Sequence, residues 1–209
     1  MGVCFVAPKN FHRFILDFLP PCPGPIKRLE PPHETLGEHH GLHTITVGQT
    51  LRGKNGLWLK SHKRSSTGKF FVAERCLETN TVYVVDHTKH PALYSDSLII
   101  DDVSWISGEK EPEFIEKTLK SNVIDSMNFQ NLLDFQYNNS VPITEPCVIT
   151  RTSDSGRFHV RLRNPFRAIT PGQFAVFYKG DELLGSGATL RPGPSVYDKQ
   201  RGLLDARRI

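Results

Sequence analysis

The sequence predicts a mainly β protein with a short N-terminal helix, in which a small α+β central domain is followed by a C-terminal β-barrel. Three observations predict this fold. Near the N-terminus, apolar residues recur at the helical spacing i, i+3, i+4 and i+7, namely Phe11, Phe14, Ile15 and Phe18. From Glu34 onward the chain breaks into short apolar runs between turn residues. No stretch approaches the ~18 apolar residues of a membrane-spanning helix.

Size and charge restrict the class of protein. The 209 residues suffice for one large domain or two small ones, and the formal net charge is +4. Lys and Arg outnumber Asp and Glu by 12 to 8 over residues 1–97 and by 11 to 6 over residues 141–209, but are outnumbered 3 to 8 over residues 98–140. This pattern permits a polyanionic partner, although ordinary solvated faces would also produce it.

The first half contains the helix and several short strands. The helix is predicted over residues 9–19 and ends at Pro20 and Pro21. Residues 22–32, with four prolines, are predicted to form a linker or an extended edge. Strands are predicted over residues 43–47, 57–59, 70–73 and 81–85, and the last two form a hairpin.

The last third gives the clearest β signal. Phe158, Val160 and Leu162 alternate with Arg157, His159, Arg161 and Arg163, which is the pattern of a half-buried strand. The sequence TPGQ at residues 170–173 predicts a type II turn, and residues 174–178 and 183–190 predict a hairpin. In the middle of the chain, an apolar run covers residues 93–106 and an acidic surface loop is predicted over residues 108–116. At the C-terminal end, the tail from Pro192 is predicted to be frayed.

The motifs for common chemistry are absent. Neither a GxxxxGK[ST] loop nor a GxGxxG loop is present, and GxSxG and HExxH are missing as well. Cys4, just ahead of the helix, is the one candidate nucleophile, because a helix dipole can lower the pKa of a thiol. The alternative is a small buried apolar residue. The polar row on residues 157–163 could contact phosphates or could be solvated.

Cysteine and histidine spacing argues against a structural metal site. Cys4, Cys22, Cys76 and Cys147 lie far apart, so we expect neither a zinc module nor a disulfide framework, and a reducing compartment fits best. Four histidines cluster between residues 33 and 43 without zinc-ligand spacing. We therefore expect surface or capping histidines; they are His33, His39, His40 and His43.

Several strings occur in the same order as in one known family. They include GVCFV at residues 2–6, GEHHGLHT at 37–44, HPALYS at 90–95, TPGQ at 170–173 and AVFY at 175–178. In this collinear set, over residues 2–195, the chain resembles the C-terminal half of the MnmA/TRMU tRNA 2-thiouridylases. The last third is most similar to the mitochondrial members.

The resemblance implies a function. Members replace the C2 oxygen of the wobble uridine of tRNA with sulfur, after ATP adenylates that oxygen. Cys4 matches the cysteine that carries the sulfur as a persulfide, and a second, earlier cysteine then forms a disulfide with it. Residues 1–22 are then a remnant of the catalytic domain, 23–97 the central domain, 98–195 the barrel and 196–209 the frayed basic tail.

The chain departs from the family in two respects. The SGGVDS-type ATP loop and the earlier cysteine are absent. ATP and Mg²⁺ are therefore expected to bind only to the complete enzyme, and no bound metal is expected here. The isolated chain is expected to be inactive. The family's Arg–aromatic pair for tRNA falls at Asp134 and Phe135, where an acid replaces the cation. Further tRNA contacts are expected, from charge and strand alternation rather than from a family motif, at Lys54, Arg157, Arg161 and Arg163.

Partners and location follow from the same resemblance. The expected partners are tRNA and a sulfur-relay donor protein, and neither a membrane nor DNA is expected as a partner. The expected location is the mitochondrion. The acidic stretch over residues 101–116 is expected to face away from RNA. The alternative function is a non-catalytic RNA-binding module derived from the enzyme.

Overall fold

The computed structural model describes residues 11–51, 58–59, 68–108, 133–137, 144–153 and 156–202. They form two compact units that divide between Leu93 and Tyr94. Both units are built mostly of strands, and the second is a closed barrel, so the predicted fold class is confirmed. In the described ranges no helix has the length and apolar character needed to cross a membrane.

The first described element of the first unit is helix α1, Phe11–Phe18, which confirms the helix predicted from apolar spacing. The amide of Leu19 donates to the carbonyl of Ile15 at 2.9 Å and closes the last turn. The rings of Phe14 and Phe18, four residues apart, lie 5.0 Å from each other, as expected for neighbours on one helix face.

A six-stranded sheet follows α1, with strand order β3-β5-β6-β1-β2-β4. Its strands are β1 (Gly24–Arg28), β2 (Thr35–His39), β3 (Thr50–Leu51), β4 (Trp58–Leu59), β5 (Phe70–Cys76) and β6 (Thr81–Val85). The predicted hairpin is confirmed, since β5 and β6 pair antiparallel with Val72 opposite Val84. Both valines are fully buried and pack with Ile26 and Leu36 in the core of this sheet.

The prediction of a linker or edge over residues 22–32 is wrong, because β1 lies between β6 and β2 in the middle of the sheet. Proline is usually excluded from central strands because it cannot donate a hydrogen bond. Here the parallel pairing with β6 begins at Ile26, one residue beyond Pro25, so this proline interrupts no bond to β6. Burial of Ile26 explains why the strand forms in spite of its prolines.

The prediction of a strand over residues 43–47 is also wrong. Leu42–Thr44 forms a 3-10 turn, and the hydroxyl of Thr44 donates to the carbonyl of Gly41 at 2.8 Å. Leu42 and Ile45 are both buried. Their spacing of three residues fits a 3-10 turn, in which residues i and i+3 lie on the same side, rather than the alternation of a strand.

The second unit is a closed antiparallel barrel with strand order β10-β7-β12-β11-β8-β9 and pairing of β9 with β10. Its strands are β7 (Tyr94–Trp105), β8 (Leu133–Tyr137), β9 (Thr144–Arg151), β10 (Phe158–Arg167), β11 (Phe174–Lys179) and β12 (Glu182–Pro192). Closure satisfies both edges of every strand, which removes the unpaired edges on which β proteins aggregate.

The predicted strand pattern and turn of the last third are confirmed. On β10, Phe158, Val160 and Leu162 are buried in the barrel. At the predicted turn Gly172 has φ of +84°, and the amide of Gln173 donates to the carbonyl of Thr170 at 3.4 Å. A type II turn requires this positive φ at its third residue, which glycine adopts without strain.

The segment predicted as a frayed tail begins with an ordered helix, α2, over Val196–Gln200. Its start is a capping box: Ser195 Oγ accepts from the amide of Asp198 at 3.1 Å, and Asp198 Oδ2 accepts from the amide of Ser195 at 3.0 Å. Ser195 is buried and forms a bridge to Ser95 of β7, which holds the start of α2 on the barrel. The spacing Ser-x-x-Asp was the available sequence signal.

Candidate nucleic-acid interface

Two of the predicted site residues, Cys4 and Lys54, lie outside the described residues, so their predicted roles stay predictions. The other five lie on two strands of the barrel. Asp134 and Phe135 belong to β8, whereas Arg161 and Arg163 belong to β10 and Arg157 immediately precedes it. In the strand order β9 separates β10 from β8, so the two groups lie on strands that do not pair with each other.

The outer face of the barrel at β10 carries the predicted row of cations. Because the buried side chains of β10 point inward, the alternate positions point outward. Arg161 and Arg163 are exposed. Arg161 lies opposite Ser97 of β7 on one side and opposite Val148 of β9 on the other.

Arg157, at the start of this row, is ion-paired. Its Nε lies 3.3 Å from Oδ2 of Asp101 on β7, and both side chains are 40% exposed. Asp101, the first residue of the predicted acidic stretch, therefore contacts the basic row, and the expectation that this stretch faces away from RNA stays a prediction. Antiparallel register is the reason for the contact, since Phe158 pairs with Ile100 and the residues next to them, Arg157 and Asp101, meet on the outer face.

His159 lies between the two ends of the row. Burial lowers the pKa of His159 below its ordinary value, and the positive charge of Arg161 lowers it further. Asp96 opposes this shift, while Lys199 and Arg191 add to it. His159 is thus held neutral by its surroundings at pH 7, and three cations act on it at close range.

Phe135 does not lie on the surface of the barrel, and the expected tRNA contact at this ring stays a prediction. It is fully buried in the barrel core. Its ring stacks on Tyr137 with centroids 5.7 Å apart and meets Phe166 edge-on at 5.8 Å. A ring in this position could stack on a base only if the barrel opened. Alternation in Leu133-Asp134-Phe135-Gln136-Tyr137 was the available signal, because it places the apolar residues on one face.

Asp134 is half-buried and, by the same alternation, lies on the outer face of β8. It pairs with Pro146 of β9 and Tyr178 of β11. Burial raises the pKa of the Cys147 thiol, and the negative charges of Asp134 and Glu145 raise it further. Two carboxylates therefore act on this side of the barrel, which is electrostatically unlike the β10 face.

The described thiols differ in accessibility. Cys22 is exposed, Cys76 is half-buried and Cys147 is buried, and all three are free cysteines. A buried thiol with a raised pKa supplies little thiolate, so Cys147 is chemically inert in the folded barrel.

His39 is not at the surface, contrary to the expectation for the histidine cluster. It is 1% exposed at the end of β2, with Nε2 3.1 Å from the carbonyl oxygen of Asn80. Burial lowers the pKa of His39, so the ring is neutral. Its one N–H is at Nε2, because the carbonyl oxygen of Asn80 can only accept a hydrogen bond. His33 is exposed, as expected. Within the described ranges no group of three His, Cys, Asp or Glu side chains could hold a metal ion.

Two family models match the chain, one for each unit. The tRNA methyl transferase PRC-barrel domain matches residues 12–86, which span α1 to β6. The aminomethyltransferase beta-barrel domain matches residues 95–189, which span most of the closed barrel.

Curated proteins resemble nearly the whole chain. Mitochondrial tRNA-specific 2-thiouridylase 1 of Gallus gallus is 38% identical over 204 residues, which are 97% of this chain and 42% of the relative. The protein of the same name in Homo sapiens is 36% identical, with the same two shares. The tRNA-specific 2-thiouridylase MnmA of Idiomarina loihiensis is 35% identical over 186 residues, 89% of this chain and 44% of the relative. The chain therefore spans less than half the length of these three relatives.

Proposed function

Since the chain belongs to the tRNA-specific 2-thiouridylase family, of which it spans the C-terminal part, we propose that it is the acceptor-cysteine and tRNA-binding half of a tRNA-uridine 2-sulfurtransferase. The observation that carries this proposal is the match of one family model to each of the two units. The product of the complete enzyme is tRNA with sulfur in place of the C2 oxygen of the wobble uridine.

Cys4 is the proposed sulfur carrier. The terminal sulfur of a persulfide on Cys4 attacks C2 of the uridine, whose oxygen has been adenylated by ATP. The C2–S bond forms as the C2–O bond breaks, and AMP leaves with that oxygen. A second cysteine, in the part of the relatives that this chain does not match, then forms a disulfide with Cys4 and thereby breaks the bond to the transferred sulfur. The persulfide itself comes from a sulfur-relay donor protein.

We propose that this chain itself holds neither ATP nor Mg²⁺. The sequence holds no glycine-rich phosphate loop of either standard type. In the part that the structure describes, no group of three potential metal ligands comes together. The ATP dependence of the proposed reaction therefore belongs to the complete enzyme, and this chain contributes the thiol and the surface that holds the substrate.

The barrel is the proposed site of tRNA binding. Exposed arginines on the outer face of β10 supply positive charge, and contacts to phosphate would release counterions from the RNA. A closed barrel suits this role, because its paired strands hold the backbone positions of these arginines fixed, so the backbone loses little conformational entropy on binding. Two of the three relatives named above are called mitochondrial, and we propose the same location for this protein.

A non-catalytic RNA-binding module is the second candidate function. The observation that favours it is the combination of a complete barrel with a sequence that holds no nucleotide loop. Such a module would bind tRNA through the same surface and leave the uridine unchanged.

Sulfur transfer can be tested in a hybrid that joins the N-terminal part of the Gallus gallus relative to this chain. The hybrid is incubated with ATP, a sulfur donor and unmodified tRNA, and 2-thiouridine is measured by mass spectrometry. We expect product from the hybrid, none from the hybrid with Cys4→Ser, and full product from the control Cys22→Ser, which removes an exposed thiol.

The isolated chain, treated in the same way, should give no product, because C2 is a poor electrophile without an adenylate leaving group. A hybrid that binds tRNA but gives no product would support the non-catalytic module. Product that survives Cys4→Ser would show that Cys4 is not the carrier.

A further inference from the structure

A β-bulge in β12 places Arg191 on the outer face of the barrel. Thr189 pairs with Ile100 and both are buried, whereas the next pair along the two strands is Arg191 with Ile99. Leu190 is therefore the extra residue. In an unbroken ladder Leu190 would oppose Ile99, and Arg191 would point toward the interior. Bulges re-aim side chains in this way, so the outward position of Arg191 is a built feature of the strand.

The bulge brings Arg191 into line with the β10 face. Ile99 of β7 pairs with Arg191 on one side and with His159 on the other, so the three residues form one row across three strands. Adjacent strands are about 4.8 Å apart, which puts the backbones of His159 and Arg191 about 10 Å from each other. Arg161 lies two residues beyond His159 on the same face.

Helix α2 completes this surface. Lys199 Nζ lies 2.6 Å from both carboxylate oxygens of Asp96. Asp96 is the acid that acts on His159, and this ion pair offsets its charge. Arg161 and Arg191 are exposed, and the described residues include no carboxylate within ion-pair distance of either. The surface therefore keeps a net positive charge despite Asp96.

We propose that the RNA backbone crosses the barrel over Arg161 and Arg191, beside α2, and not over the Arg157 end of β10. This inference rests on the proposed function, since it takes tRNA as the ligand. The two ends of the β10 row differ in one respect that decides between them: Arg157 is ion-paired to Asp101, and binding a phosphate there would require the loss of that pair. Arg161 and Arg191 bind phosphate without such a loss.

The test compares three versions of the 209-residue chain: wild type, Arg161→Ala/Arg191→Ala, and the matched control Arg157→Ala/Arg151→Ala. Each variant removes two cations from the barrel, and Arg151 is an exposed arginine that lies over the ring of Phe158 at 5.0 Å. Binding of an unmodified tRNA transcript is measured by filter binding between ~50 and ~200 mM salt.

We expect the Arg161/Arg191 variant to bind about tenfold more weakly at low salt and to have a log–log salt slope shallower by about two. The control Arg157→Ala/Arg151→Ala should also bind tRNA more weakly than wild type, but its loss of affinity should be severalfold smaller than that of the Arg161/Arg191 variant. Equal affinity of the Arg161/Arg191 variant and wild type, or an equal loss in both variants, overturns the proposed surface. Absence of any binding by wild type also overturns it, as does equal competition by a DNA duplex of the same length.

The outcome separates this inference from the proposed function. One outcome rejects the enzymatic proposal alone. In it the hybrid with Cys4 intact makes no 2-thiouridine, but the Arg161/Arg191 variant still binds tRNA more weakly than wild type. The opposite outcome rejects the proposed surface alone. In it the hybrid transfers sulfur, but the Arg161/Arg191 variant binds tRNA with the same affinity as wild type. Both side chains are exposed, so thermal denaturation should confirm that the variants fold as wild type does.

Discussion

Arg157 and Asp101 form an ion pair on the outside of the barrel, with Arg157 Nε 3.3 Å from Asp101 Oδ2, although 56 positions separate them in the chain. The pair joins the acidic region over residues 98–140 to the basic region over residues 141–209. Both side chains are 40% exposed, so the pair itself contributes little to stability. Its importance lies in the charge of Arg157, which Asp101 offsets.

Removal of the Asp101 charge should strengthen tRNA binding. The change Asp101→Asn takes away a negative charge and releases Arg157 from its partner, so we expect affinity to rise by severalfold at low salt. Asp102→Asn is the matched control, since Asp102 is the adjacent exposed acid and its φ of +51° is well tolerated by asparagine. Filter binding of both variants is the measurement. An equal gain for both would mean that only net charge matters and that the ion pair does not.

Asp134→Arg supplies the cation that the family resemblance implies at this position. If the family contact exists here, the variant should bind tRNA more tightly by on the order of 1 kcal/mol. The control Asp134→Gln removes the acid without supplying a cation, and it should account for only part of the gain. Identical affinities of the two variants would exclude a specific contact at this position on β8.

Phe135 should contribute to stability rather than to RNA binding. The ring is fully buried against Tyr137, Phe166 and Phe177, so Phe135→Ala should lower the free energy of unfolding by about 3–5 kcal/mol. Phe174→Ala on the neighbouring strand β11 is the control, because that ring is 59% exposed and its loss should cost about 0.5 kcal/mol or less. Urea denaturation measures both. A stable Phe135→Ala protein with weakened tRNA binding would contradict the structural role.

Acidification should destabilise the fold through its buried histidines. The folded state lowers the pKa of His159 below 6.5, so between 6.5 and that lower pKa the unfolded chain binds more protons. The stabilisation is therefore fully present above pH 6.5 and is lost as the pH falls through this window. His39 and His90 act in the same direction.

Replacement of His159 by Gln tests this dependence. The variant should lose less stability between pH 7.5 and pH 5.5 than wild type does, as measured by urea midpoints at both values. His33→Gln, which changes an exposed histidine, should keep the wild-type dependence. If His159→Gln and wild type lose the same stability between pH 7.5 and pH 5.5, His159 does not cause the pH dependence.

Local sequence patterns were sufficient to predict α1, the β5–β6 hairpin, β10 and the turn at Gly172. In each case the decisive information lies within a few neighbouring residues: the helical spacing of α1, the alternation of β10, or a glycine that takes positive φ. Burial of Phe135 belongs to the same class, because the alternation of β8 indicates which side of the strand each residue occupies.

The tertiary structure alone decided the elements and pairs that depend on distant partners. β1 forms in spite of Pro25 because β6 and β2 bind it on both sides, and local propensity cannot represent those neighbours. Arg157 meets Asp101, and Lys199 meets Asp96 across 103 positions, only because strand register and the docking of α2 bring them together. The bulge that turns Arg191 outward is likewise a property of the β7–β12 pairing. The sequence determined which side chains face the solvent on a strand, and the register between strands determined which charges remain available to a partner.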